Sequence, residues 1–258
     1  ITVTGEISVD NVNDLDTATE GTITASIDTT ERVSELKTLT GTHAYTIVIS
    51  EDDAIIGNAA DLNTIDSATS VAVNASEVTQ LTGTVSALKT AFAAGAAGTI
   101  TGLNGAEAVV LTDTSDSSAA DIHSLKNFLD DAAEDGGVTA SAINLASVTS
   151  LKGSAMDLLA VFAAKTAGTV SDLADDVDVN IDETAVADDG TGDSAVSVAD
   201  ANLIDSYTTG AITGTILETD SSTLSTLNSD TDNANAYTIT VTAVSYTHLE
   251  PTRLTMIS

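Results

Sequence analysis

A chain of 258 residues with 42% apolar content has enough length and apolar material for a packed core, which argues against intrinsic disorder despite a formal net charge of −32. That charge, 39 acids against 7 bases, opposes binding to nucleic acid or anionic membrane and favours solubility in salt. Cysteine is absent, so there is no disulfide framework or thiolate metal site, and with only 3% aromatics any core is built from Ala, Val, Ile and Leu, which suits an interior one or two side chains deep.

Alternating apolar and polar residues predict a strand over residues 1–9, and residues 12–15 form a short helical turn. Residues 22–27 give the next strand. Asp28 and Glu31 have capping-box spacing, Val33, Leu36 and Leu39 share a helical face, and Gly41 stops that helix. Residues 44–50 read as a strand and 60–67 (ADLNTIDS) as a short helix. That helix is echoed at 199–206 (ADANLIDS) and more weakly at 120–125, each copy being followed by a β-like segment. Val85, Leu88 and Phe92 share a helical face, and residues 99–103 and 108–112 are strands. Residues 118–131 form the clearest helix, with Ile122, Leu125 and Leu129 on one side. A helix over 147–164 follows, then strands near 169–173 and 177–182, a Gly/Asp loop over 184–193, a last helix ending at 224–227 and a strand over 236–242. The most apolar run, 158–164, is bounded by Asp157 and Lys165 and is too short to span a membrane.

Residues 78–103 occur twice. Shifted by 70 positions, Val78, Leu81, Gly83, Leu88, Phe92, Gly98 and Leu103 fall without a gap on Val148, Leu151, Gly153, Leu158, Phe162, Gly168 and Leu173. Repetition at tens of residues marks solenoids and arrays. Strands separated by helix-containing crossovers pair in parallel. Their alternation (Val177, Asp178, Val179) puts one face on helices and leaves the other to water, unlike the continuous apolar strands of a doubly wound sheet. The expected fold is therefore an α/β repeat solenoid over residues 1–243, with a one-sided parallel sheet, leucine-rich-repeat-like in principle; a parallel β-solenoid is the alternative. Phe92 and Phe162 are expected at equivalent buried positions. The chain opens at Ile1 in a strand, with no signal peptide or initiator Met, and reads as an internal fragment of something longer.

With ADLNTIDS, VTQLTGT, AGTITGL and AVVLTDT in view, the chain resembles the tandem repeats of giant cell-surface proteins of marine cyanobacteria and other marine bacteria, which are Ala/Thr/Ser/Asp/Gly-rich and nearly Cys-free. The resemblance covers most of residues 1–243. It implies a surface-layer, adhesion or motility role at an extracellular or cell-surface location, with neighbouring repeats and surface components as partners, and no catalytic residue. Residues 244–258 hold the only Pro and break the composition. They resemble translated sequencing-adapter read-through and are expected to lie outside the fold.

Chemistry is sparse. No HExxH, GxSxG or GxxxxGK[ST] motif occurs, the Gly-Asp-Ser at 192–194 lacks a serine-protease context, and His43 and His123 read as structural surface residues. A polysaccharide-processing enzyme would need basic and aromatic residues to grip sugar, and Arg32 is the one Arg outside the tail. The acids offer a metal reading. Asp176, Asp178, Asn180 and Asp182 alternate along one strand face, about 6.6 Å between neighbours. Asp188, Asp189 and Asp193, around Gly190 and Gly192, make the best candidate Ca²⁺ loop. Asp178 and Asp182 could hold an ion against a neighbouring coil. Asn74-Ala75-Ser76 fits a glycosylation sequon. The function expected is a non-catalytic structural or adhesive repeat segment of a large bacterial surface or secreted protein; the alternative is a calcium-dependent binding module.

Overall fold

The computed structural model describes residues 1–183, 195–228 and 235–241. The loop acids Asp188, Asp189 and Asp193, the triplet at 192–194 and the tail at 244–258 lie outside these described residues. Within them the chain is mixed α/β, with eight α-helices and exclusively parallel strand pairing. The strands β1 (Thr2–Ile7), β2 (Thr24–Ile27) and β3 (Ala44–Thr46) alternate with helices α1 (Val9–Ala18) and α2 (Val33–Leu36) and form one sheet in that order.

After β4 (Ile55–Ile56) the simple alternation of strand and helix gives way, as the consecutive strands read at 99–103 and 108–112 and at 169–173 and 177–182 imply. Helix α3 (Ala59–Ser67) is followed by two strands, β5 (Val73–Asn74) and β6 (Gln80–Gly83). Helix α4 (Val85–Ala97) is followed by β7 (Ile100–Thr101), β8 (Ala108–Leu111) and β9 (Ser117–Ser118). Helix α5 (Ala119–Gly136) precedes β10 (Ile143–Asn144) and β11 (Ser150–Gly153), and α6 (Ala155–Ala167) precedes β12 (Val170–Ser171) and β13 (Asp178–Ile181). The corners between paired strands are made by asparagine. Asn74 Oδ1 accepts the Ser76 N–H and Asn144 Oδ1 that of Ala146, and each side chain turns its own backbone. Single strands return with α7 (Val198–Asp205), β14 (Ile212–Ile216), α8 (Ser221–Leu224) and β15 (Ala236–Ile239). The remaining sheets run β4-β6-β8-β10-β12, β9-β11-β13-β14-β15 and β5-β7.

Strand faces follow the alternation. In β13, Val179 and Ile181 are buried while Asp178 and Asn180 face outward; β6, β8 and β11 repeat the pattern. Beneath the inward face, α2 to α7 pack in chain order, each on the next. Their contact residues join one continuous core of Val, Ile, Leu and Ala in which Tyr45, Phe92 and Phe162 are the buried aromatics.

The two matching stretches, residues 78–103 and 148–173, adopt the same elements, a strand, a helix and a strand. Helices α4 and α6 are each 13 residues long, start on Thr84 and Ser154 and stop on left-handed Gly98 (φ 78°) and Gly168 (φ 77°). Phe92 and Phe162 are 3% and 1% exposed at the same helical position, as the sequence predicts. Two expectations do not hold. Residues 147–164 are not one helix, because Ser150–Gly153 pairs with β9 and β13 and the helix begins only after Ser154, whose Oγ accepts the Asp157 N–H. The capping carboxylate of α2 is Glu35, which accepts the Arg32 N–H; Asp28 binds Thr30 instead, and Glu31 reaches back 22 residues to the Val9 N–H. Arg32 cannot supply the reciprocal half of a box because guanidinium has no acceptor.

That reach of Glu31 belongs to a series. The first N–H of α1, α2, α4, α6 and α7 is taken by Glu31, Asp53, Asp113, Glu183 and Glu218, each 20–28 residues further along the chain. Local caps accept a second N–H at Ser8, Thr84, Ser154 and Ser197. Acids so placed also complement the positive end of each helix.

The ADLNTIDS echo forms a second seam. Asn202 donates Nδ2–H to Thr226 O and accepts the Asn228 N–H; Asn13 does the same with Thr38 O and Thr40 N–H. Asn63 donates to Ala87 O, but its Oδ1 is buried without a partner. The cause is helix length. Helices α2 and α8 end after four residues and leave an N–H free two positions beyond the accepting carbonyl. In α4 that N–H belongs to Lys89, inside the helix. Asn202→Ala should therefore cost about 2 kcal/mol, two hydrogen bonds at roughly 1 kcal/mol each, and Asn63→Ala about 1 kcal/mol or less. Equal losses in equilibrium urea unfolding would contradict this account.

Candidate functional site

The outward face of β13 gathers the acids singled out in the sequence. Asp178 and Asn180 share that face, with β11 on one side and β14 on the other; Asp182, just past the strand, continues the alternation, and Asp176 lies in the turn before it. In register, Ser150 pairs with Asp178 and Lys152 with Asn180. The carboxylates are not left to converge on one point. Asp178 Oδ1 accepts the Ala211 N–H at 2.8 Å, and Lys152 Nζ stands 3.0 Å from Asp182 Oδ2. Glu183, next along, is turned to the N-terminus of α6. Asp178 and Asp182 are four residues apart, about 13 Å along a strand.

Two shallow cavities open on this face. One of about 430 Å³ is lined by Asn180, Asp182, Glu183, Thr213, Thr215 and Thr238. Another of about 240 Å³ is lined by Asp116, Ser150, Asp178, Asn180 and Thr213. Among the described residues no group of three or more His, Cys, Asp or Glu side chains is placed to hold a metal ion. Of the five carboxylates singled out as calcium ligands, the structure thus places Asp178 and Asp182 on one face without bringing them together.

The histidines are seam residues. His43 is buried, 8% exposed, rather than on the surface. Its Nδ1 accepts the Ile23 N–H at 3.3 Å, which assigns the proton to Nε2, 2.7 Å from Asp16 Oδ1. Hydrogen bonds from Thr40 and His43 hold the Asp16 carboxyl below the usual range. A carboxylate orienting an imidazole is half of a hydrolytic triad, but here both ring nitrogens are committed and none remains for a nucleophile. Tyr45, edge-on to His43, has its hydroxyl buried without a partner and pushed up to about 12, first by burial and then by the Asp16 charge. His123 Nδ1 lies 3.4 Å from Asp157 in the next helix.

The bases serve the same seams. Lys37 holds Asp61 and Lys89 holds Asp121, each on the following helix, and Arg32 holds Asp52. Exposed pairs of this kind contribute about 0–1 kcal/mol each. Asp220, capping α8, is lowered to about 2 by the Ser222 hydroxyl and the Thr223 N–H. The sequon Asn74 is folded into its Asx turn between neighbouring strands.

Sequence reasoning missed the capping acids Glu31, Asp53, Asp113, Glu183 and Glu218. For Glu31, Asp53, Asp113 and Glu218 the one legible signal is an acid shortly before a helix start that does not cap that helix. No helix among the described residues is long and apolar enough to cross a membrane. No family model matches the chain, and no curated protein or solved structure matches it either.

Proposed function

We propose that the chain is a non-catalytic structural or adhesive repeat segment of a large bacterial surface or secreted protein, built as an α/β solenoid whose partners are neighbouring repeats and cell-surface components. The supporting observation is the equivalence, element for element, of residues 78–103 and 148–173, set 70 residues apart in a chain whose helices α2 to α7 pack in sequence order. The commitment of His43, and of every Lys and Arg among the described residues, to an acid partner fits a role in holding units together rather than in turnover. A solenoid of this kind predicts that removing residues 78–147, one whole period joining Glu77 to Val148, leaves a cooperatively folding protein. Removing residues 78–137 is out of phase and should abolish cooperative unfolding by circular dichroism. Equal damage from both deletions would reduce the repeat to shared composition. Sequence flanking this segment in its gene should hold further copies; a catalytic domain there would count against the reading.

A second reading, a calcium-dependent binding module in an extracellular setting, draws on Asp178 and Asp182, each lining one of the two cavities on this face. Extracellular Ca²⁺ modules bind at about 10⁻⁴–10⁻³ M, so about 10 mM Ca²⁺ would add roughly 1.4–2.7 kcal/mol per site. Thermal melts in CaCl₂, MgCl₂ and NaCl at matched ionic strength separate this from general relief of the −32 charge. Equal midpoints in the three salts would remove the calcium reading.

A further inference from the structure

Among the positions at which the two copies of the repeat differ, one changes how the end of the helix is covered. Lys165, in the last turn of α6, occupies the position held in α4 by Gly95, 70 residues earlier. Lys165 Nζ lies 2.7 Å from Asp175 and 3.3 Å from the Ala174 carbonyl oxygen. Leu173, close by in sequence, is 4% exposed. At Gly95 no side chain does this work. A Cβ there would stand 3.5 Å from Cβ of Leu103, the counterpart of Leu173, and Leu103 is only half-buried.

The space left open is a groove of about 390 Å³ between the end of α4 and α5. Its apolar floor is Leu103, Phe128 and Ala132, and its rim carries Asp131 and Asp135. It exists because α5 has 18 residues where α4 and α6 have 13, so its end projects past them. The charges are placed against the helix. Asp131 and Asp135 are an i,i+4 like-charge pair close to the negative end of the dipole. Among the described residues no base pairs with either, since Lys126 holds Asp130 and the others hold acids elsewhere.

We propose that this groove docks a basic amphipathic segment of a partner protein, which lays a lysine side chain over Leu103 with its ammonium between Asp131 and Asp135. The chain supplies a precedent at Lys165, which reaches an acid from the position equivalent to Gly95; that acid, Asp175, aligns with Gly105, so in the groove the acids are those of α5 instead. Phe128 and Ala132 extend the apolar contact beyond what one lysine stem covers, which is why the occupant is an amphipathic segment.

The probe is a short amphipathic helix of Leu and Lys, titrated calorimetrically into the intact chain at physiological salt, with a Leu/Glu helix as the negative control. Gly95→Lys fills the groove from within and replaces a helix-interior glycine with a better helix former, so it should fold and weaken the probe about tenfold or more. Asp131→Asn with Asp135→Asn should do the same. Asp10→Asn with Glu20→Gln removes equal charge from exposed positions elsewhere and should change affinity by less than about twofold. The proposal is overturned if the Leu/Lys helix does not bind, if Gly95→Lys leaves its affinity unchanged, or if the control pair loses as much as the groove pair. Displacement of the helix by spermidine at matched charge would assign the groove to free small cations and overturn it as a protein-docking surface.

Discussion

Phe162→Ala is expected to destabilise the chain by about 3–5 kcal/mol, the usual cost of truncating a buried phenylalanine. The ring is 1% exposed, on the inward face of α6 beside buried Leu158 and Val161. It also stacks on Tyr207, with centroids 5.4 Å apart and planes 6° from parallel. Phe92 occupies the same place in the other copy, and no aromatic ring among the described residues stacks on it. Such a pair adds about 0.5–1.5 kcal/mol beyond burial, so Phe162→Ala should exceed Phe92→Ala by that margin. Against a total stability of about 5–15 kcal/mol the loss is large. Equilibrium denaturant unfolding measures it, with hydrogen exchange to show whether the opening is local, as nearest-neighbour architectures allow. A cost below about 1 kcal/mol for either ring would place it outside the core.

Gly210→Ala is expected to cost about 3 kcal/mol, the upper end of overpacking, because the atoms in the way are backbone. A Cβ at Gly210 would lie 2.4 Å from Val177 O and 2.5 Å from Asp176 O. The turn is fixed onto that strand. The Thr208 hydroxyl donates to Val177 O, and the Thr209 N–H to Asp175 O. Relief would require β14 to part from β13. Gly57→Ala is the control. Nothing lies within 4 Å of its Cβ position, and the substitution should be neutral or stabilise by about 0.4–1 kcal/mol through the unfolded chain. Midpoints in urea that fail to separate the two variants would refute the close approach.

Thr208 also shows how far the sequence could be read. The echo ADLNTIDS/ADANLIDS was legible as a short helix, but its use was not. The buried hydroxyls of Thr69 and Thr208, just beyond it, both donate to a strand of the preceding unit, at Tyr45 O and Val177 O. Asn63 and Asn202 bind backbone groups of the following one. Periodicity found Leu88, Phe92 and Ile122 because burial on a helix face is a local property of spacing. It could not find Glu31 or Asp113, whose partners are main-chain groups more than twenty residues away, carrying no side-chain signature. The false helix start at Ser147 has a local cause: Ser147 and Ser154 are both plausible caps, and only the pairing of Leu151 with Ser117 and Val179 decides between them. Asp178 and Asn180 do face outward on β13, but Asp176 falls in the turn before it, and Lys152, which pairs with Asp182 past its end, lies thirty residues earlier.

The capping acids give the molecule a direction in time. Each acceptor lies later in the chain than the helix it completes, by 22, 20, 28, 28 and 20 residues. A ribosome therefore releases every such helix with one amide still bare and supplies the missing carboxylate only after a further stretch has emerged. At about 5–20 residues per second that delay is roughly one to six seconds. Nascent units should thus mature one behind the exit point, each locked by its successor, so that an unfinished chain always carries its least settled helix nearest the ribosome.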